Sequence, residues 1–270
     1  MLPSLHVGQR LLPWLAFAAV YSLVVAIIVR WLALPSWSAG NEMAATLTLV
    51  LGILVVFRNN AANDRWWEAR KLWGQLINDL RNLALKVHAH VELDGAERRR
   101  FAKQLVGFAH ALRMHLRGPT TVQSVPGFET DPTTFPHAPG YIAGLVHQAL
   151  ADWNRRGLLR ETVWVLDVHA RSLMDICGAC ERIRNTPLAS SFRSLLRGAL
   201  ALEILVAPWP AAIEFGWWGV PAVMVAVGFL IGIEMTAEEI EEPFGLAGDD
   251  LPLETYCQTI EKFVPAAMEG

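Results

Sequence analysis

The stretch from Met43 to Val87 decides the fold. It reads MAATLTLVLGILVVF, then RNNAANDRWWEA, then RKLWGQLINDLRNLALKV. Met43 to Phe57 is apolar almost throughout, but it is short of the roughly 20 residues that cross a bilayer core. No Gly-Pro break follows, and the helix-compatible residues Arg58-Asn59-Asn60 carry the chain on. Beyond them, apolar residues recur at Trp66, Ala69, Trp73, Leu76, Leu80, Leu83 and Val87. That alternation of three and four is a helix-packing seam. The spacing predicts one helix that starts in lipid and leaves it as an amphipathic helix, with a long face offered to neighbouring subunits.

Three further apolar runs flank this stretch: Leu11 to Leu34, a run within Leu195 to Ile213, and Trp217 to Met235. Trp14, Trp31, Trp37, Trp209, Trp217 and Trp218 stand at or near their ends, where an aromatic belt places tryptophan. The chain has 270 residues, of which 53% are hydrophobic and 18% charged. Four spans take roughly 80 residues and leave the rest for water-exposed structure. The net charge of −3 gives nucleic acid no basic surface, and 3 cysteines build no disulfide framework. No signal peptide is read at the start, because no small-residue cleavage site follows the first run.

The loops Trp31 to Glu42 and Ala207 to Gly216 lack Lys and Arg, whereas Arg58 to Ser190 holds most of the chain's 23. The positive-inside rule therefore puts the long segment, and with four spans both termini, in the cytoplasm of a bacterial cell membrane. The division expected is 11–57 for spans one and two, 58–190 for a helical cytoplasmic domain, 191–236 for spans three and four, and 237–270 for an acidic cytoplasmic end. Within 58–190, Asp94 with Glu97 resembles a capping box, and Gly118-Pro119 stops the helix it opens. Helices follow over Tyr141 to Arg156 and Glu161 to Arg184. The fold class is all-α.

Few residues offer chemistry. Cys177-Gly178-Ala179-Cys180 is a single CxxC on a helix, read as two small buried residues; the rival reading is a metal site or enzyme completed by a histidine. His88 with His90, and His110 with His115, miss the spacing that puts two ligands on one helix face. There is no phosphate loop and no GxSxG, so no enzyme active site is visible. Glu203 and Glu234 are costly in lipid and are expected to face a bundle interior or a pore or vestibule. Glu234 opens an acidic stretch through Glu238, Glu239, Glu241, Glu242, Asp249, Asp250 and Glu254, either a solvated helix end or a cation-attracting segment. Leu49, Ile53 and Phe57 form a stripe that faces lipid, packs, or rings a dry constriction that gates by dewetting. Polar Asn60 follows it.

Phe57-Arg58-Asn59-Asn60-Ala61, with Asp64-Arg65-Trp66-Trp67-Glu68-Ala69-Arg70-Lys71-Leu72-Trp73-Gly74, resembles the bacterial branch of the bestrophin channels. Glu239-Ile240-Glu241-Glu242-Pro243-Phe244-Gly245 and Asp249-Asp250-Leu251-Pro252-Leu253 resemble the same family's signature after its last span. The start at Met1-Leu2-Pro3-Ser4 looks shorter than in usual members of that family. The resemblance implies a homopentamer in the lipid bilayer, passing small ions through one axial pore. It implies Leu49, Ile53 and Phe57 as the neck, and a second, cytoplasmic constriction, for which the Thr186-Pro187-Leu188 corner offers Leu188.

Animal members are calcium-activated anion channels with a dense acidic clasp after Pro-Phe-Gly, and bacterial members are cation-conducting. Here Leu246-Ala247-Gly248 fills the first part of the clasp, leaving Asp249 and Asp250 as candidate divalent-cation ligands. Calcium takes six to eight oxygens, so no resident cofactor is expected. The expectation is a channel favouring cations through its acidic stretch, with an anion channel of the same build as the alternative. The other classes are the Cys-based metal protein and a scaffold without a pore.

Overall fold

The computed structural model describes residues 4–33, 35, 38–158 and 160–269. Trp37 and Leu34 lie outside them. Among the described residues all regular structure is helical, with no strand. The helices are α1 (Ser4–Trp31), α2 (Ser38–His90), α3 (Gly95–Arg117), α4 (Ala138–Arg155), α5 (Arg160–Asn185), α6 (Ser190–Val206), α7 (Pro208–Phe215), α8 (Gly219–Ile240) and α9 (Leu253–Glu269). The expected continuation of the second span is present, since α2 is one helix of 53 residues. The third run is not one helix. Pro208 and Pro210 lack the amide hydrogens that would continue the ladder of α6, so it ends at Val206 and α7 restarts with Pro208 in its first turn.

The chain divides into two units, Met1–Trp66 with Pro187–Asp250 and Trp67–Thr186 with Leu251–Gly270. By packing, the units part at Trp66, inside α2, and Leu251 onward belongs with α9 to the second unit.

The first unit is the apolar one. Ala18 of α1 packs with Ile204 of α6 and with Val223, Val227, Ile231 and Met235 of α8. Val25, Ala26 and Val29 pack on Ala212 of α7. Leu51 and Val55, on the inner face of α2, meet Leu196 and Leu200 of α6. In a bilayer such contacts gain little from exclusion of water, and close packing of the side chains holds them together. Gly219 lets α8 start against α7: a Cβ there would stand 2.5 Å from the Ala211 carbonyl oxygen. At one end Trp209 donates to the Tyr21 hydroxyl at 3.2 Å, and Arg30 lies over Trp217 at 5.8 Å.

The second unit is built around α3. Asp94 caps it by accepting from the Ala96 and Glu97 amides at 2.8 and 2.7 Å, and Gly118 ends it. Phe101 packs at a tilt against Trp153 of α4, with centroids 4.9 Å apart. Ala69, Trp73, Leu76, Leu80, Leu83 and Val87 on α2 are fully buried. Trp73 meets Tyr256 of α9, and Gln75 donates to Ser172 of α5. The seam that the sequence offers to neighbouring subunits is thus buried within the chain itself, with α9 against Trp73 and α5 hydrogen-bonded to Gln75 and Asp79 beside it.

Candidate functional site

The outer face of α2 is left uncovered by its own chain. Reading along it at helical spacing gives Glu42 and Thr46, then Leu49, Ile53 and Phe57, then Asn60 and Asp64, all exposed. Leu49, Ile53 and Phe57 are 66%, 50% and 63% exposed, while Leu51 and Val55 on the opposite face are buried. A spanning helix carries an apolar stretch between polar ends in any case; here the stretch and both polar ends stand on a face that the chain itself leaves bare. The stripe the sequence singled out and Asn60 share that face.

Behind it lies a buried ionic cluster. Arg58, the residue after Phe57, is 1% exposed. Its Nη2 donates to Glu241 Oε2 at 2.6 Å, and its Nε stands 3.6 Å from Glu234 Oε2. Glu241 Oε1 accepts from the Leu188 amide at 2.9 Å and from Arg193 Nη2 at 3.1 Å. Arg65 Nε donates to the Glu241 carbonyl, and Trp66 Nε1 donates to the Asp249 carbonyl at 2.9 Å. The two separated motifs are therefore one place in space. Burial pushes the Glu241 carboxyl up, but the Leu188 amide and the Arg58 guanidinium outweigh it and hold it below the usual carboxylate range.

The other expected site residues fall differently. Glu203 and Glu234 are buried in the unit rather than on the exposed stripe. Thr48 donates to Glu203 Oε1 at 2.6 Å. Charges of this kind stay in an apolar unit only when a partner meets them, which is why both turn inward. The acidic stretch is not bare either. Glu238 meets Arg10 and Arg197, and Glu239 meets Arg10. Leu188 is half-buried, held by the Glu241 carboxylate. Asp250 turns back on its own loop: its Oδ2 accepts from the Ala247 amide at 2.5 Å.

In the second unit, Cys177 and Cys180 are buried. Burial, with Glu181 nearby, pushes the Cys177 thiol up to about 12 and raises Cys180 as well. A thiol so held is a poor nucleophile. Spacing in sequence hid one cluster entirely. His115 and His137 both place Nε2 on Glu181 Oε1, at 2.7 and 2.8 Å. Their ligand atoms and the carboxylate lie within 4.8 Å of one another, the one such group of metal-ligating side chains among the described residues. His137 accepts the Gly140 amide on Nδ1, so its own proton sits on Nε2 and points at the carboxylate. The arrangement is a hydrogen-bonded clasp joining α3, the start of α4 and α5. It lowers Glu181: burial raises that carboxyl, but the two imidazoles more than offset it.

The model of a family described as bacterial and fungal bestrophin proteins matches residues 3–265. A voltage-dependent anion channel-forming protein of Mesorhizobium japonicum is 31% identical, over 94% of this chain and 84% of that protein. One of the same description from Ralstonia nicotianae is 32% identical, over 94% of this chain and 86% of the relative. The crystal structure of a bacterial bestrophin homolog from Klebsiella pneumoniae superposes with a TM-score of 0.85 at 24% identity, covering 94% of this chain and 97% of that one.

Proposed function

The chain belongs to the bacterial and fungal bestrophin family, and from that premise we propose that it forms a homo-oligomeric ion channel of the cell membrane, five subunits around one axial pore, with both termini in the cytoplasm. The observation that carries this reading is the exposed stripe of α2. A lone subunit has no room for a hydrated path. Repeated about an axis, Leu49, Ile53 and Phe57 become three stacked apolar rings, with Thr46 and Glu42 on one side and Asn60 and Asp64 on the other. Such rings offer an ion no ligand, so the barrier is dehydration. The half-buried Leu188 is the proposed second constriction.

On selectivity, the acidic stretch supplies little field, because Glu234, Glu238 and Glu241 each lie on an arginine. Phe57 adds an aromatic ring whose positive edge suits an anion. The relatives named as anion channel-forming support the same choice, so anion conduction is favoured here over the cation preference expected from the acidic residues. Asp249 and Asp250 are two carboxylates, one already engaged in its own turn, and make at most a weak divalent-cation site.

The test is the reversal potential of purified protein in a planar bilayer under a potassium chloride gradient. A value near the chloride potential supports anion conduction. A value near the potassium potential restores the cation reading, and no current at all overturns the channel. Light scattering in detergent addresses assembly separately, and a monomer or dimer as the sole species removes the axial pore.

A further inference from the structure

In the first unit, the start of α1, the second half of α6 and the end of α8 line a cavity of about 340 Å³. Its walls are Leu200, Ile204, Ile231 and Met235, and its mouth carries charge of both signs. Arg10 and Arg197 are half exposed and share the Glu238 carboxylate, at 3.4 and 3.0 Å. Glu234 lines the same cavity. It is 7% exposed, and neither of its carboxylate oxygens accepts a hydrogen bond. Its nearest cation, Arg58 Nε, stands at 3.6 Å, beyond hydrogen-bonding distance. Arg58 pairs with Glu234 by charge, but a buried carboxylate whose oxygens accept no hydrogen bond is still unfavourable, so the cavity calls for a group that donates to it. The arginines beside it call for an anion, and the walls call for apolar carbon.

We propose that this cavity binds the headgroup of a primary-amine phospholipid. The phosphate lies on Arg10 and Arg197, the ammonium donates to Glu234 and Glu238, and the first acyl carbons run over the four apolar residues. The depth is consistent with this. Arg10 and Arg197 lie two turns into α1 and α6, and Glu234 and Glu238 lie in the last two turns of α8. Trp14 lines the same mouth, as a side chain of the headgroup level does. Basic pockets between membrane helices take the phosphates of anionic headgroups; Glu234 and Glu238 here add the partner that an ammonium needs. Water could satisfy Glu234 alone, but it would use neither the arginines nor the apolar wall. The proposal does not depend on conduction.

The experiment uses delipidated full-length protein in detergent. Binding of dioleoyl phosphatidylethanolamine, its mono-, di- and trimethylated forms, and dioleoyl phosphatidylglycerol is followed by native mass spectrometry. Methylation removes the N–H donors and keeps the charge. Loss of charge-assisted hydrogen bonds predicts about tenfold weaker binding of the trimethylated lipid. Glu234→Gln brings the ethanolamine lipid down to the choline lipid, and Arg197→Gln weakens every lipid alike. If Glu234→Gln fails to fold, the methylation series on the parent protein stands by itself. Equal binding across that series overturns the proposal, as does tightest binding of phosphatidylglycerol, which would mark a site for phosphate alone.

Discussion

Arg58 and Glu241 meet at 2.6 Å with side chains 1% and 4% exposed, although 183 positions separate them. One carboxylate thereby ties the residue after Phe57 to the backbone of Leu188. A buried pair is poor evidence of net stabilisation, but removing one partner strands the other charge.

Arg58→Gln or Glu241→Gln should each destabilise the protein by about 3–5 kcal/mol. The double variant should recover part of that loss, because the two residues share one interaction. Thermal melts in detergent, followed by size-exclusion fluorescence, read this directly. Additive losses in the double variant would mean that the pair is not coupled.

Trimming Ile53 to Ala should raise single-channel conductance and leave the reversal potential where it was. Successive rings on α2 are about 6 Å apart, four residues of helix rise, and widening the middle one lets water remain without adding charge. Unchanged or lower conductance would take Ile53 out of the barrier.

Conduction should not require micromolar calcium. Leu246, Ala247 and Gly248 bring no carboxylates, and Asp250 is engaged by the Ala247 amide. Currents recorded with chelator and with added calcium should match. A current that vanishes with chelator and returns with the ion would show that this loop binds calcium after all.

The clasp on Glu181 should make the protein acid-sensitive in a defined direction. A carboxyl held below its ordinary value of 4.5 stabilises the fold above that pH. The contribution is lost as pH falls through the lowered folded value. Melting temperatures taken from about pH 6 to about pH 3 should fall more steeply in the parent than in Glu181→Gln. Parallel curves would remove Glu181 from the acid limb.

Gly219→Ala should destabilise by about 1–3 kcal/mol. The new methyl would meet the Ala211 carbonyl, backbone that cannot swing aside as a side chain can. A melt within error of the parent would show that α7 and α8 can part without cost.

The sequence by itself determined what depends on periodicity and composition. The unbroken α2, the Asp94 cap, the Gly118 stop and the apolar runs are local properties, set by side-chain spacing and backbone chemistry within a few turns. The stripe Leu49, Ile53, Phe57 was legible for the same reason. Tertiary structure alone decided where charge goes. Nothing in the spacing says that Glu234 and Glu241 turn onto Arg58, or that His115 and His137 close on Glu181, because those partners are far apart in the chain. A carboxylate in an acidic run and a carboxylate in a buried ion pair look alike until burial removes water and forces each charge to find a partner. The burial of the Trp73 to Val87 seam within its own chain, with Tyr256 of α9 against Trp73, was hidden likewise, since an apolar face records that it must be buried but not by what.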